Sequence, residues 1–235
     1  MTGPPDSVTG PHRGQPILHA GDPLEHAQAA MVMLHGRGAS ARDILTLSEA
    51  LVEGLPQAPA GESPWAGFAF LAPQAANNTW YLNRFMQPIE TNEPWLSSAL
   101  SFVEFVLAQV QHGGIPLERT LLLGFSQGAC LALEYAARHA RRYGGLVGLS
   151  GGLIGPDGTP RDYAGSLAGT PVFLGCSDVD VHVPKERVAE TAQVLERLSA
   201  HVTMRLYPNM GHEVNQDELE FIREMMASVR PRIRS

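Results

Sequence analysis

The sequence predicts an α/β protein, a mostly parallel twisted sheet with helices on both faces. Strand-type and helix-type runs alternate along most of the chain, as repeated strand–helix–strand crossovers require. The strand-type runs, Ala29–Leu34 (AAMVML) above all, are continuously apolar, as strands covered on both faces must be. The 235 residues, 44% of them hydrophobic, suffice for one domain with a sizeable core. No internal repeat is present, and no linker is long enough to separate two domains.

Gln15–Ala20 reads as a weak first strand and Ala29–Leu34 as a strong second one. Ala41–Glu53 has helical spacing through Ile44, Leu45, Leu47, Leu51 and Val52. Gly54–Gly67 is rich in Pro, Gly and Ala and reads as a loop. Phe68–Leu71 is a short strand, and Gln74–Glu93 a long irregular segment. Pro94–Gln111 is helical, with Pro94 in the favourable first turn. The remaining strands are expected over Thr120–Leu123, Gly145–Leu149, Pro171–Leu174 and Val202–Tyr207. The remaining helices are expected over Gln127–His139, Pro184–Leu198 and Glu213–Val229.

Composition narrows the function classes. The formal net charge is −7 and no Lys/Arg-rich block occurs, which argues against nucleic acid and against anionic membranes as partners. Neither Cys130 nor Cys176 has zinc-ligand spacing, and two cysteines make no disulfide framework, so both read as buried apolar fillers. Residues 1–14 (MTGPPDSVTGPHRG) lack a basic start and an apolar core, so they read as a flexible segment ahead of a single domain over 15–235, not as a signal peptide. No apolar run approaches membrane-spanning length. The expectation is a soluble cytoplasmic protein with no stable membrane anchor; a homodimer is among the oligomeric states left open.

In an open parallel sheet, the loops that follow the strands share one edge, and sites form there. The sharpest signal lies on that edge. Gly124-Phe125-Ser126-Gln127-Gly128 is a G-x-S-x-G run between a strand and a helix. A strand that turns directly into a helix leaves no room for side chains at the flanking positions, hence the glycines. The serine is forced into a strained backbone conformation that projects its hydroxyl outward. Free N–H groups at the helix start favour negative charge there. A plain turn with a capping serine would look similar, so the rest of the constellation must decide.

A serine hydroxyl needs a general base. His212 lies directly after the last strand and before the last helix, where its loop reaches the same edge as Ser126. His182 is the weaker alternative, since it sits in the loop that should supply the acid. That loop, GCSDVDVHVP, offers Asp178 and Asp180. Asp180 is chosen as the group that orients the histidine, and Asp178 is left as a turn or supporting group with a rival claim. An early strand runs into His35-Gly36-Arg37-Gly38, a glycine-flanked turn able to present backbone N–H groups. The N–H groups of Arg37 and Gln127 are therefore the candidate oxyanion hole. His35 is expected to support that loop by hydrogen bonding. The GRG run lacks the spacing of a phosphate-binding loop.

Four separated pieces, LHGRGAS, GFSQGA, SDVDVHVP and MGHE, together resemble the phospholipase/carboxylesterase family of α/β-hydrolases, which includes acyl-protein thioesterases and small bacterial carboxylesterases. The resemblance runs from about Ala29 to the last helix. It implies an α/β-hydrolase fold without a separate cap domain, a triad of Ser126, Asp180 and His212, an oxyanion hole of the Arg37 and Gln127 N–H groups, and hydrolysis of carboxylic esters or thioesters without a cofactor. HGRGAS stands where acyl-protein thioesterases usually have an H-G-x-G-D run, and Thr79-Trp80-Tyr81 follows APQAANN. Both features look more like bacterial small-ester hydrolases.

Trp80, Tyr81, Phe85 and Met86 are expected to wall an apolar pocket beside Ser126, with Leu153 and Ile154 as further candidates. The function expected is hydrolysis of small, short-acyl esters through an acyl-enzyme. The alternatives are an acyl thioesterase or lysophospholipase, a dienelactone-type hydrolase (which would usually carry cysteine at the Ser126 position), and a catalytically silent scaffold used as a binding module.

Overall fold

The structure is a computed structural model that describes residues 8–53, 63, 65 and 67–230. Among the described residues, seven strands form one sheet: β1 (Ile17–Gly21), β2 (Ala29–Leu34), β3 (Phe68–Pro73), β4 (Thr120–Phe125), β5 (Gly145–Leu149), β6 (Pro171–Ser177) and β7 (His201–Tyr207), in the spatial order β1-β3-β2-β4-β5-β6-β7. Only β1 runs antiparallel, paired with β3 from Ile17 opposite Pro73 to Gly21 opposite Ala69. Among the described residues the α-helices are α1 (Ala41–Glu53), α2 (Trp95–His112), α3 (Gln127–Arg138), α4 (Lys185–Arg197) and α5 (Gln216–Val229). No separate cap domain is evident among the described residues.

Side chains alternate faces along a strand, and here both faces are covered. Met31, Met33, Leu121, Leu123, Val147, Leu149 and Phe173 pack with residues of α1 and α5. Ala30, Val32, Leu34, Leu122, Leu146, Val172 and Leu174 pack on the opposite face with residues of α2, α3 and α4. Two cores on one sheet account for the continuously apolar runs. The edge strand β7 is only half-covered, with Met204 and Leu206 exposed, and correspondingly alternates.

Several boundaries differ from the sequence expectation for local reasons. Helix α5 begins three residues later than Glu213, because Asn215 caps it. The Asn215 side chain accepts the Glu218 N–H, and the Glu218 carboxylate accepts the Asn215 N–H, a reciprocal capping box. Helix α2 starts after Pro94, which caps it rather than forming its first turn. Strand β6 continues to Ser177 because pairing with β7 persists to the end, Ser177 opposite Tyr207. The N-terminal segment is a correction where it is described: Val8 and His12 are fully buried, so residues 8–14 are not loose. Residues 1–7 and most of the expected loop over 54–67 lie outside the described residues.

His12 and His35 are buried neutral imidazoles. His12 Nδ1 accepts the Ala76 N–H at 3.1 Å and Nε2 donates to the Trp80 carbonyl at 3.0 Å. His35 Nε2 accepts the Ala75 N–H at 3.1 Å and Nδ1 donates to the Gly36 carbonyl at 2.8 Å. A second proton on either ring would set N–H against N–H. Burial pushes both pKa values down, opposed in part by the carbonyl each ring bonds.

The most confined contact of the fold is where α3 crosses β2 and β4. A Cβ on Gly128 would lie 2.1 Å from the Leu34 carbonyl oxygen, and one on Gly124 would lie 2.2 Å from the Gly128 carbonyl oxygen. Both obstacles are backbone, so no rotamer change relieves them. Gly128→Ala is expected to cost about 2–4 kcal/mol of stability, read as a lowered urea midpoint with unchanged slope. A midpoint equal to wild type would show that the crossing has slack. The histidines give a second expectation. Their folded pKa values are depressed, so the unfolded state binds protons more readily, and stability present above about pH 6.5 is lost as pH falls below it. Each such group adds at most about 1.4 kcal/mol per pH unit to that slope. Unfolding free energies at pH 7.5 and 5.5 should differ less for His12→Gln than for wild type; equal differences would contradict the assignment.

Candidate active site

The site is assembled on the edge where β2, β4, β6 and β7 end. Ser126 joins β4 to α3 with φ 54° and ψ −118°, in the left-handed half of backbone space. Such a conformation costs on the order of 1–3 kcal/mol in a residue with a Cβ, so the surroundings must enforce it. They do so from both sides: the Ser126 N–H donates to the Leu149 carbonyl at 2.8 Å, and its carbonyl accepts the Cys130 N–H at 3.0 Å. Gly36 is close as well, since a Cβ there would stand 3.4 Å from the Ser126 Cβ.

His212 lies in the loop between β7 and α5. Its Nε2 is 2.9 Å from Ser126 Oγ and its Nδ1 is 2.7 Å from Asp180 Oδ2. The Asp180 side chain is fully buried. Its other oxygen accepts the N–H groups of His182 at 2.8 Å and Val183 at 3.0 Å. Burial pushes this carboxyl up, but the bonds from His212 and from those two N–H groups outweigh burial and hold it below the usual carboxylate value. An ionised Asp180 can only accept, so His212 Nδ1 carries a proton, and in the neutral ring Nε2 is then the acceptor facing the serine. Asp178 takes a different place. Its carboxylate accepts the Asn209 N–H at 2.9 Å, which braces the loop leading to His212. Ser177 Oγ donates to the Met210 carbonyl of that loop at 2.6 Å. Glu218, which caps the following helix, is buried, and burial pushes its carboxyl up to about 7.

The early loop is held as tightly. The His35 ring bonds Gly36 O, so the Gly36–Arg37 peptide is fixed in orientation. Trp80 Nε1 donates to the His35 carbonyl at 2.8 Å, and the Gly38 N–H donates to Asn78 O at 2.8 Å. The Arg37 guanidinium donates to the carbonyls of Leu82 (2.8 Å) and Asn83 (2.6 Å) and lies over the Tyr81 ring. Gln127 ties the same segment to the serine corner: its side chain accepts the Trp80 N–H at 2.9 Å and donates to Tyr81 O at 2.7 Å. The N–H groups of Arg37 and Gln127 have no protein acceptor among the described residues. For Gln127, the first residue of α3, no intrahelical acceptor exists.

A cavity of about 260 Å³ opens onto Ser126 and His212, walled by Arg37, Tyr81, Arg84, Phe85, Gln127, Cys130, His182 and Val183. Tyr81 and Phe85 line this cavity. Met86 lines an adjoining hollow instead. Trp80 and Leu153 are corrections, for both are fully buried in the core and line neither space. The Trp80 indole is turned inward by its bond to His35 O and packs 5.0 Å from the His35 ring. Leu153 is held below the surface by its N–H to Thr191 Oγ1 and its carbonyl to Arg187. Ile154 is buried too. Arg84, Val183 and Cys130 were missed: they sit on loops or the inner helix face, and no spacing rule marks them. His182, weighed as a rival base, packs edge-on against His212 with ring centres 4.8 Å apart. Both cysteines are free and buried, and burial pushes their thiols up, Cys130 to about 11 and Cys176 to about 12, as fits fillers. Among the described residues, no helix is long and apolar enough to cross a membrane, and no group of three or more His, Cys, Asp or Glu could hold a metal.

With this geometry in hand, likeness to known proteins is informative. The phospholipase/carboxylesterase family model matches residues 19–229. The crystal structure of a phospholipase/carboxylesterase from Dyadobacter fermentans superposes with a TM-score of 0.83 at 40% identity, covering 94% of this chain and 99% of that one. Acyl-protein thioesterase 1 of Gibberella zeae is 29% identical over 136 residues, 55% of this chain and 56% of that protein, so the match spans little more than half its length. Acyl-protein thioesterase 1 of Debaryomyces hansenii is 22% identical over 225 residues, 87% of this chain and 92% of that protein. Family model, sheet order and serine corner agree: the chain belongs to the phospholipase/carboxylesterase family of hydrolases and has the α/β-hydrolase fold.

Proposed function

We propose that this chain hydrolyses carboxylic esters of small, short-acyl substrates through an acyl-enzyme formed on Ser126. The observation that carries the reading is the unbroken chain from Ser126 Oγ to His212 Nε2 at 2.9 Å and from His212 Nδ1 to Asp180 Oδ2 at 2.7 Å. The serine proton passes to His212 Nε2 as Oγ bonds to the ester carbonyl carbon. Negative charge then collects on the carbonyl oxygen, which the N–H groups of Arg37 and Gln127 receive; one such donor is worth roughly 3 kcal/mol. Asp180 stabilises the imidazolium and holds its tautomer. The imidazolium gives its proton to the departing alcohol or thiol as the tetrahedral centre collapses to the acyl-enzyme. Water then repeats the sequence: His212 takes its proton, the hydroxide adds to the acyl carbon, and the serine leaves with the proton restored.

A cavity of about 260 Å³ lies below the usual range for pockets that take drug-sized ligands, which favours a short acyl chain. Acyl thioesters are the second reading, favoured by the acyl-protein thioesterases among the relatives. The same steps cleave either bond, so a panel of p-nitrophenyl esters and acyl thioesters of graded length separates the two. Acetate and butyrate esters should be turned over fastest. Long-chain thioesters as the preferred substrates would favour the second reading.

Two variants test the roles. Ser126→Ala should lower the rate of p-nitrophenyl butyrate hydrolysis by about 10⁶. Asp180→Asn keeps an oxygen for the His182 and Val183 N–H groups, but sets an amide N–H against His212 Nδ1. The favoured tautomer then carries its proton on Nε2, and kcat should fall about 10⁴ with little change in fold. An Asp180→Asn enzyme within tenfold of wild type would remove Asp180 from the mechanism.

A further inference from the structure

We propose that the alcohol half of the preferred substrate carries a negative charge, a carboxylate or phosphate, which Arg84 binds; this rests on the esterase reading above. The cavity at Ser126 and the adjoining hollow of about 270 Å³ have Arg84, Phe85 and His182 as common walls, so the two spaces lie side by side. The chain bears a net charge of −7, yet among the described residues no Asp or Glu stands in the wall of either space. Two guanidiniums stand there instead, and they are used differently. Arg37 is committed to the carbonyls of Leu82 and Asn83. Arg84, exposed in the common wall, makes no ion pair and no side-chain hydrogen bond among the described residues.

The backbone on either side of Arg84 is clamped, which makes it a fixed mounting for a cation. Asn83 N–H donates to Asn92 Oδ1 at 2.7 Å, Asn83 Nδ2 donates to Thr91 O at 2.6 Å, and Phe85 O accepts the Gly155 N–H at 2.7 Å. A guanidinium so placed offers a planar fork to carboxylate or phosphate oxygens. Proton delivery assigns the half of the substrate. The leaving oxygen must sit at His212 Nε2 to receive its proton, and the hollow begins at His182, packed against that ring. A group attached to the leaving oxygen therefore extends along His182 toward Arg84, whereas the acyl group faces Tyr81 and Cys130.

The test compares 4-(butyryloxy)benzoate, anionic on its leaving half, with its neutral methyl ester, in wild type and Arg84→Gln. Taking the ratio of the two kcat/KM values within each enzyme cancels general effects of the substitution. That ratio should fall about five- to tenfold in Arg84→Gln, further in Arg84→Glu, and be partly kept in Arg84→Lys. In wild type it should also fall as NaCl is raised from 0.05 to 0.5 M. Equal ratios in wild type and Arg84→Gln would overturn the proposal while leaving the esterase reading intact. A third ester, 4-nitrophenyl hydrogen glutarate, carries its charge on the acyl half. Loss confined to that ester would overturn the assignment to the alcohol half. A wild-type enzyme inert toward all three would instead overturn the esterase reading, and this one with it.

Discussion

The contact on which the rest depends is the backbone-to-backbone crossing of α3 over β2 and β4. With hydrogen alone at residues 124 and 128, a single residue separates the end of the strand from the start of the helix, against the Leu34 carbonyl. That proximity leaves Ser126 no ordinary conformation, and its φ of 54° follows from the crossing. The strain is local, while the forces that hold it are distributed over bonds to Leu149 and Cys130 and over the apolar packing of both sheet faces. A hydroxyl is thereby held out at the sheet edge before any substrate arrives. Catalysis by fixed dipoles and a placed base requires that kind of preorganisation.

A second layer of constraint links the three loops around that hydroxyl. Gln127 bonds the segment carrying Trp80 and Tyr81, Arg37 bonds the carbonyls after it, and the His35 ring fixes the Gly36–Arg37 peptide. On the other side, Asp178 and Ser177 at the end of β6 hold the loop that presents His212. The side chains of Gln127 and Arg37 are thus structural ties, while their N–H groups are free to face a substrate. One residue serves the loop with one end and the site with the other.

Much of this was legible in the sequence, because the features that specify it are local. Continuous apolar runs gave most strands within one to three residues, and glycine spacing marked the serine corner. The order of elements placed His212 and Asp180 on the same edge. What failed did so where the outcome depends on distant partners. Trp80 and Leu153 are apolar residues beside the site in sequence, and whether such a residue faces a pocket or the core is set by a bond such as indole to His35 O. Residues 8–14 have the composition of a loose tail, yet His12 finds partners at Ala76, Trp80 and Ser98, far along the chain. Arg84 was invisible because its interest lies in what does not pair with it.

The central claim is that the crossing presents one serine, and only that serine, as a nucleophile activated by His212. Reaction with a fluorophosphonate, followed by intact-mass measurement and peptide mapping, tests it most directly. A single adduct is expected, on the peptide containing Ser126, formed in step with loss of esterase activity and absent from a His212→Ala variant. An adduct on another residue, or full ester turnover with Ser126 unmodified after complete labelling, would contradict it.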